Sequence, residues 1–349
     1  MIYYSHPVIQ KDLQEIASYD LPWEKLKGRT ILVTGANGML ATYLIYLFVY
    51  LNHKHETGIC IQALSRDRKK LKELFGDIAP PDELCLLEQD ISSPLSENRK
   101  IDYILHFAGN ASPYFIKTDP VGILRSNIQG SINILERARR DDSKILFAST
   151  REIYGEVKDK SLLAESDFGL LDPTEPRSCY PESKRAAEAL MVAYARQYGL
   201  HINSVRLAHA YGPGMKLKND GRVMADFMAA AVDRKAIILH STGDAERAFC
   251  YLADAVTGLI TILLKAPAGE TYNLSNETEP LPIREVAMLL ANIEDEQPLD
   301  VVFDIPKQQD EAYCKYPRTG LDTSKLEALG WSPHISLKEG LSRTLQSFR

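Results

Sequence analysis

The chain reads as an α/β protein, a doubly wound parallel sheet with a smaller C-terminal α/β substrate-binding lobe, and three features of its 349 residues predict this. Strand-like apolar runs alternate with helical patterns through the first two-thirds, the sequence form of a parallel sheet covered by helices on both faces. A glycine-containing turn, Thr34-Gly35-Ala36-Asn37-Gly38-Met39-Leu40-Ala41, joins the first strand-like run to a long apolar stretch. Tyr180 and Lys184, one helical turn apart, follow the strand-like run Ile145 to Thr150.

Residues 1–28 form an N-terminal extension, in which Val8, Ile9, Leu13, Ile16 and Ala17 recur near helical spacing and predict a helix docked on the main domain. The main domain is expected over 29–207. Its strands fall at Thr30 to Thr34, Ile59 to Leu64, Leu84 to Glu88, Tyr103 to Phe107, Lys144 to Ala148 and Ile202 to Leu207. Helical patterns lie between them, notably Gly122 to Arg140 and Pro181 to Tyr198, the second stopped by Gly199. Met39 to Leu51 is almost wholly apolar, but a membrane span needs about 18 to 20 such residues, so a buried helix and no membrane partner are expected. From residue 208 the pattern shifts to shorter helices and turn signals, Tyr211-Gly212-Pro213-Gly214 and Asn219-Asp220-Gly221 among them. This predicts a substrate-facing lobe over 208–349, with segments of the two units interleaved.

Composition narrows the class. Hydrophobic residues at 45% and charged residues at 25% are ordinary for a globular protein, and a formal net charge of -6 supplies no general attraction for nucleic acid. Any anionic ligand must be held by local groups. Five scattered cysteines without a C-x-x-C spacing, and an N-terminus that brings Lys11, Asp12 and Glu15 where a leader's apolar run would stand, predict a reduced, cytoplasmic setting. No His/Cys cluster of metal-ligand spacing occurs, so no metal is expected.

The glycine turn has the context of a dinucleotide site, between a strand and a helix. Gly35 permits the tight turn, Gly38 lets backbone approach a pyrophosphate, and Ala41 is the small residue where helix packs on sheet. Free N–H groups at that helix start favour a diphosphate. At the end of the second strand an acidic residue would ordinarily bind the adenosine ribose, whereas here Leu64 leads to Ser65 and Arg66 before Asp67. Arg66 suits a 2′-phosphate or stacking on adenine, so NAD and NADP both stay open; the run Arg66 to Lys70 also reads as a solvated charged face.

Tyr180 and Lys184 share a helix face, so the ammonium is expected to stabilise the phenolate and lower the tyrosine pKa from about 10, making a base usable near neutral pH. Thr150 ends a strand at the sheet edge where ligands collect, and its hydroxyl can hold the substrate oxygen that Tyr180 deprotonates.

With these pieces in order, residues 28 to 345 resemble the extended short-chain dehydrogenase/reductase family that modifies nucleotide-diphosphate sugars. The matching segments include Gln89-Asp90-Ile91, His106-Phe107-Ala108, Asn127-Ile128-Gln129-Gly130, Ser149 to Gly155, Tyr180 to Lys184, Tyr211-Gly212-Pro213, Tyr272-Asn273-Leu274 and Leu329-Gly330-Trp331. Pro176 to Tyr180, Asn219 to Val223 and Glu246 to Phe249 look most like UDP-glucuronate decarboxylases. The resemblance implies a Rossmann domain and an enzyme that oxidises the sugar transiently at C4 with bound NAD(P)+. Decarboxylation is the leading outcome; 4-epimerisation, 4,6-dehydration and a non-catalytic cofactor-binding protein are the alternatives.

The resemblance also assigns roles. Gly35, Asn37, Gly38, Met39, Ser65, Arg66, Asp90, Ile91, Phe107, Ala108, Gly109, Asn127, Tyr180 and Lys184 would bind the cofactor. Thr150, Glu152, Tyr180 and Lys184 would be catalytic, and Arg222, Arg247 and Arg318 would contact the substrate diphosphate. His209 stands where the family often has asparagine, as a further ligand contact. Dehydratases of the family read Thr-Asp-Glu where this chain reads Thr150-Arg151-Glu152, so Arg151 either pairs with a substrate carboxylate or, if the strand continues, points away from Glu152's face. Helices Gly122 to Arg140 and Pro181 to Tyr198 resemble those of a four-helix homodimer contact, with Ala186, Leu190, Ala193 and Tyr194 as apolar face.

Overall fold

Seven parallel strands form the central sheet of the computed structural model, which describes residues 3–96, 98–218, 220–294, 297–305 and 320–349. They are β1 (Thr30–Thr34), β2 (Cys60–Ser65), β3 (Leu84–Glu88), β4 (Tyr103–His106), β5 (Lys144–Thr150), β6 (Ile202–Leu207) and β7 (Thr271–Leu274). Their spatial order is β7-β6-β5-β4-β1-β2-β3, so the chain reverses its direction of travel between β1 and β4. In such sheets the crevice at the carboxyl ends of those two strands is where ligands bind.

The helices follow the alternation: α1 (Pro7–Ala17), α2 (Met39–His55), α3 (Arg68–Phe75), α4 (Pro120–Asp141), α5 (Cys179–Tyr198), α6 (Val223–Val232), α7 (Leu252–Lys265) and α8 (Leu337–Gln346), with shorter pieces between. Successive side chains of β1 go to opposite faces. Ile31 and Val33 enter the core shared with α2 and α7, whereas Leu32 enters the core shared with α4 and α5. Both faces are covered, which is why these strands are almost wholly apolar. Every residue of α2 from Ala41 to Leu51 is buried, so its uniform apolarity reflects burial within protein. No helix among the described residues is long and apolar enough to cross a membrane.

Strand β7 was readable only as a motif, Tyr272-Asn273-Leu274. It pairs in register with β6, Tyr272 opposite Val205, and with α7 it brings residues 252–274 back onto the main sheet. A four-residue strand has no periodicity of its own to display. Strand β5 runs on to Thr150, beyond the expected end at Ala148, because Ser149 and Thr150 continue the ladder opposite Arg206 and Leu207.

The N-terminal α1 is tied to the other end of the chain. Asp12 is fully buried; its carboxylate accepts from Tyr43 Oη of α2 at 2.8 Å, Tyr251 Oη at 2.7 Å and the Arg343 guanidinium of α8 at 2.6 Å. Burial pushes the Asp12 carboxyl up, against the lowering by these three donors.

Candidate active site

The glycine turn is built as its chemistry requires. Gly35 has φ +67°, and a Cβ there would lie 2.8 Å from the Phe107 carbonyl oxygen and 2.9 Å from Ala108 Cα, so only glycine lets β1 turn this close to the end of β4. Gly38 caps α2 without any side-chain hydrogen bond to the helix start. The end of β4 is pinned there by Thr34, whose Oγ1 accepts from the backbone N–H groups of Phe107 and Ala108, each at 3.1 Å.

Thr34 also starts a buried chain of hydrogen bonds. Its hydroxyl donates to His106 Nδ1 (2.9 Å), His106 Nε2 meets Ser131 Oγ (3.3 Å), and Ser131 Oγ donates to the Asn127 carbonyl (2.5 Å). Since Ser131 spends its proton on Asn127, the imidazole must carry its proton on Nε2. Burial, then the Lys184 charge, lowers His106 to about 3, so the ring stays neutral in this role. Asn127 Nδ2 continues the chain to Ser183 Oγ (2.9 Å), which donates to the Tyr180 carbonyl (2.8 Å). The glycine turn and the Tyr180 helix are thereby held by one network.

Two buried polar atoms beside this crevice, Asn127 Oδ1 and Ser149 Oγ, have no hydrogen-bond partner among the described residues. A Cβ on Gly109, whose φ is +147°, would lie 2.5 Å from Asn127 Oδ1 and 3.7 Å from Lys184 Nζ, so that glycine keeps the approach to both open. An unpartnered buried acceptor is costly unless a ligand or water donates to it. The glycine turn, the uncapped helix start and these orphan atoms fit a dinucleotide. At the opposite end Arg66, 60% exposed, lies 3.8 Å from Asp90, whose carboxyl is lowered first by the Ser92 backbone N–H and also by Arg66 and Arg125. Asp67 is occupied as the N-cap of α3, accepting from Lys70 N at 2.9 Å. Ile91 packs beneath, against Gly130.

Thr150, Glu152 and Tyr180 come together at the carboxyl end of β5. The strand stops at Thr150, which caps a 3-10 turn over Arg151–Tyr154 by accepting from Glu152 N at 3.2 Å. Strand alternation therefore does not extend to Arg151 and Glu152; Arg151 is half-buried in the turn. The Thr150 hydroxyl lies close enough to the Tyr180 phenol to favour its ionised form.

The expected lowering of Tyr180 by Lys184 is corrected by the structure. Burial pushes the phenol well above its ordinary value and the Glu152 charge adds to this, while Thr150, Arg222 and Arg177 pull it down. Lys184 gives its ammonium instead to the Ala148 carbonyl at 2.8 Å, over the Phe147 ring, and burial lowers it to about 8. Both groups share a buried wall, where the cost of charging each outweighs their separation along the helix.

The arginines are distributed unequally. Arg222 forms a two-pronged ion pair with buried Asp220 and acts on Tyr180. Arg247 lies on a short strand and donates to the Glu246 carbonyl at 2.6 Å. His209 takes a left-handed backbone, φ +40°, with its ring 5.7 Å from that of Phe249; a non-glycine residue in that region is uncommon and concentrates at functional sites. Arg318 and Asn219 lie outside the described residues. Arg177 had no role read from the sequence, yet it donates to Glu152 Oε1 at 2.7 Å. Its sequence signal is its place in the segment Pro176 to Tyr180, three residues before Tyr180.

A glycine turn between β1 and α2, a crevice at the switch point and a Thr/Tyr/Lys group define a dinucleotide-binding α/β enzyme of the Rossmann class. The NAD dependent epimerase/dehydratase family model matches residues 31–275, and the chain belongs to that family. It is 34% identical to UDP-glucuronic acid decarboxylase 6 of Arabidopsis thaliana over 91% of this chain and 88% of that protein. A UDP-glucose 4-epimerase structure from Thermotoga maritima, with UDP-glucose, superposes with a TM-score of 0.75 at 24% identity, covering 91% of this chain and 98% of that one. A dTDP-glucose 4,6-dehydratase from Streptomyces venezuelae, solved with NAD, gives the same TM-score and identity over 91% and 96%.

Proposed function

We propose that this chain is an NAD-dependent decarboxylase of UDP-glucuronate acting through transient oxidation at C4 of the sugar. The observation that carries the reading is the convergence of Thr150, Glu152 and the Tyr180 phenol at the carboxyl end of β5, next to a glycine turn that fits a dinucleotide. Similarity to UDP-glucuronic acid decarboxylases over nine-tenths of the chain supports the substrate.

Gly35, Asn37, Gly38 and Met39 would hold the diphosphate of the coenzyme, Ser65, Arg66, Asp90 and Ile91 its adenosine, and Phe107, Ala108, Gly109, Asn127 and Lys184 its nicotinamide half. When bound, the coenzyme accepts the C4 hydride and later returns it. Thr150 holds the C4 oxygen while Tyr180 takes its proton. The resulting ketone lies β to the C6 carboxylate, so the electrons left when carbon dioxide departs from C5 are delocalised onto the ketone oxygen. Glu152 is a carboxylate placed to handle a proton beside Tyr180. Arg222, Arg247 and His209 would engage the substrate diphosphate and sugar, and Arg151 its carboxylate. The outward faces of α4 and α5, where Leu190, Ala193 and Tyr194 keep some exposure, are assigned to a homodimer contact.

Incubating the protein with UDP-glucuronate and NAD should release carbon dioxide and yield a UDP-pentose by mass spectrometry; an unchanged sugar, or a product that keeps its carboxylate, defeats the reading. Arg151→Ala should raise KM for UDP-glucuronate roughly 10- to 100-fold, the loss of one charge-assisted hydrogen bond. Wild-type kinetics would remove Arg151 from carboxylate recognition. Gly35→Ala should weaken NAD binding at least about tenfold in a calorimetric titration, from left-handed strain and the clash with β4. Gly199→Ala, strained at φ +71° but with nothing within 4 Å, should bind NAD as the wild type does.

A further inference from the structure

We propose that Arg177 is a positioning residue: as the fixed counter-ion of Glu152, it lets that carboxylate stand beside the Tyr180 phenolate without forcing a proton back onto it. The inference rests on Tyr180 being the base of the proposed reaction, and it concerns a residue that the preceding roles leave out.

The geometry carries it. Glu152 and Arg177 lie 25 positions apart in sequence and meet through an Nη2 to Oε1 bond of 2.7 Å, with side chains 29% and 25% exposed. Each is fixed at its own end. Glu152 sits in the 3-10 turn capped by Thr150, whose hydroxyl favours the ionised form of Tyr180. Arg177 sits in a second 3-10 turn, Pro176–Ser178, that runs directly into α5. That turn is itself anchored, since Ser178 Oγ donates to the Asp172 carbonyl at 2.6 Å. Both turns thus deliver their charges, already paired, to the same end of α5.

The charges acting on the phenol come from every neighbouring element. Glu152 raises it from the turn after β5; Arg177 lowers it from the turn before α5; Arg222, paired with Asp220, lowers it from the segment leading to α6. On its own helix, Cys179 feels both members of the pair and Lys184 is held by Ala148. Phe115, Ile116 and Ile123 complete an apolar wall. In such a poorly hydrated pocket an uncompensated carboxylate beside the phenol opposes phenolate formation strongly. A proton-handling carboxylate next to a phenolate base needs a counter-charge, and Arg177 supplies it.

The test is the pH profile of kcat/KM. A phenolate base loses activity as pH falls through its pKa, so removing a nearby cation moves the acid limb to higher pH. Arg177→Gln should move it up by about one pH unit, the usual effect of one close charge. Arg177→Lys, which keeps the charge, should bring it back toward the wild-type position. The double variant Arg177→Gln/Glu152→Gln removes both signs and should also return it, although its rate is low. A merely structural Arg177 would lower rates without moving the limb, and an unmoved limb in Arg177→Gln overturns the proposal. A second readout needs no turnover: with tyrosine labelled at ¹³Cζ and Tyr180 assigned by Tyr180→Phe, the phenolate should appear at lower pH in Glu152→Gln than in Arg177→Gln. The same onset in both overturns the proposal, whatever sugar the enzyme accepts, whereas inactivity of the wild type toward every sugar tested would strike only at the reaction.

Discussion

Tyr180→Phe should lower kcat by roughly 10²- to 10⁴-fold, the range for losing one positioned acid or base, with little change in KM. Phenylalanine keeps the ring that packs with Ile116 and Ile123 and loses only the hydroxyl. The variant should therefore fold normally, so that the loss of rate reports on the missing hydroxyl and not on a disrupted core. The pH dependence has a definite sign. Burial raises Tyr180, so activity should fall on the acid side, where the phenol holds its proton, and rise as pH increases through its pKa in the working complex. Stopped-flow measurement of nicotinamide absorbance with UDP-glucuronate reads this step directly. An undiminished rate in Tyr180→Phe would leave the proposed chemistry without its base.

Asp12→Ala should produce the largest loss of stability, about 3 to 5 kcal/mol, the usual cost of removing one partner from a buried charge pair. Three donors converge on that carboxylate, and its loss leaves the Arg343 guanidinium, 9% exposed, and two buried tyrosine hydroxyls with an acceptor fewer. Arg343 also bonds Glu15 and Glu339, so its charge keeps partial compensation, and the effect should fall at the lower end of that range. Urea denaturation followed by tryptophan fluorescence is suited to the measurement, because Trp331 is buried against α7. Since burial pushes Asp12 up, its charge is costly to bury, and replacing the whole set with apolar residues is a different experiment from removing one member. An Asp12→Ala midpoint equal to wild type would mean that α1 rides on the domain without clamping it.

Much of the site was legible before the fold. Gly35 could be assigned from its place between a strand and an apolar helix, and the structure adds the reason that no other residue fits, the Phe107 carbonyl 2.8 Å from its missing Cβ. Thr150 and Tyr180 were paired from order and spacing. The expected mutual action of Tyr180 and Lys184 failed on the same ground that made it attractive: one helical turn brings two side chains to one face but says nothing about what else that face meets. Here it meets the Ala148 carbonyl and the Phe147 ring.

Residues close in sequence determined the glycine turn, the run of strands and helices and the Tyr180–Lys184 spacing, because backbone conformation and side-chain period are set by near neighbours. Only the tertiary structure decided that Glu152 answers to Arg177, that Asp12 meets Arg343 across 331 positions, that Thr271–Leu274 completes the sheet and that the unassisted phenol is raised. Ion pairing and desolvation depend on everything within a few ångströms of an atom, and those distances exist only once the chain has closed on itself.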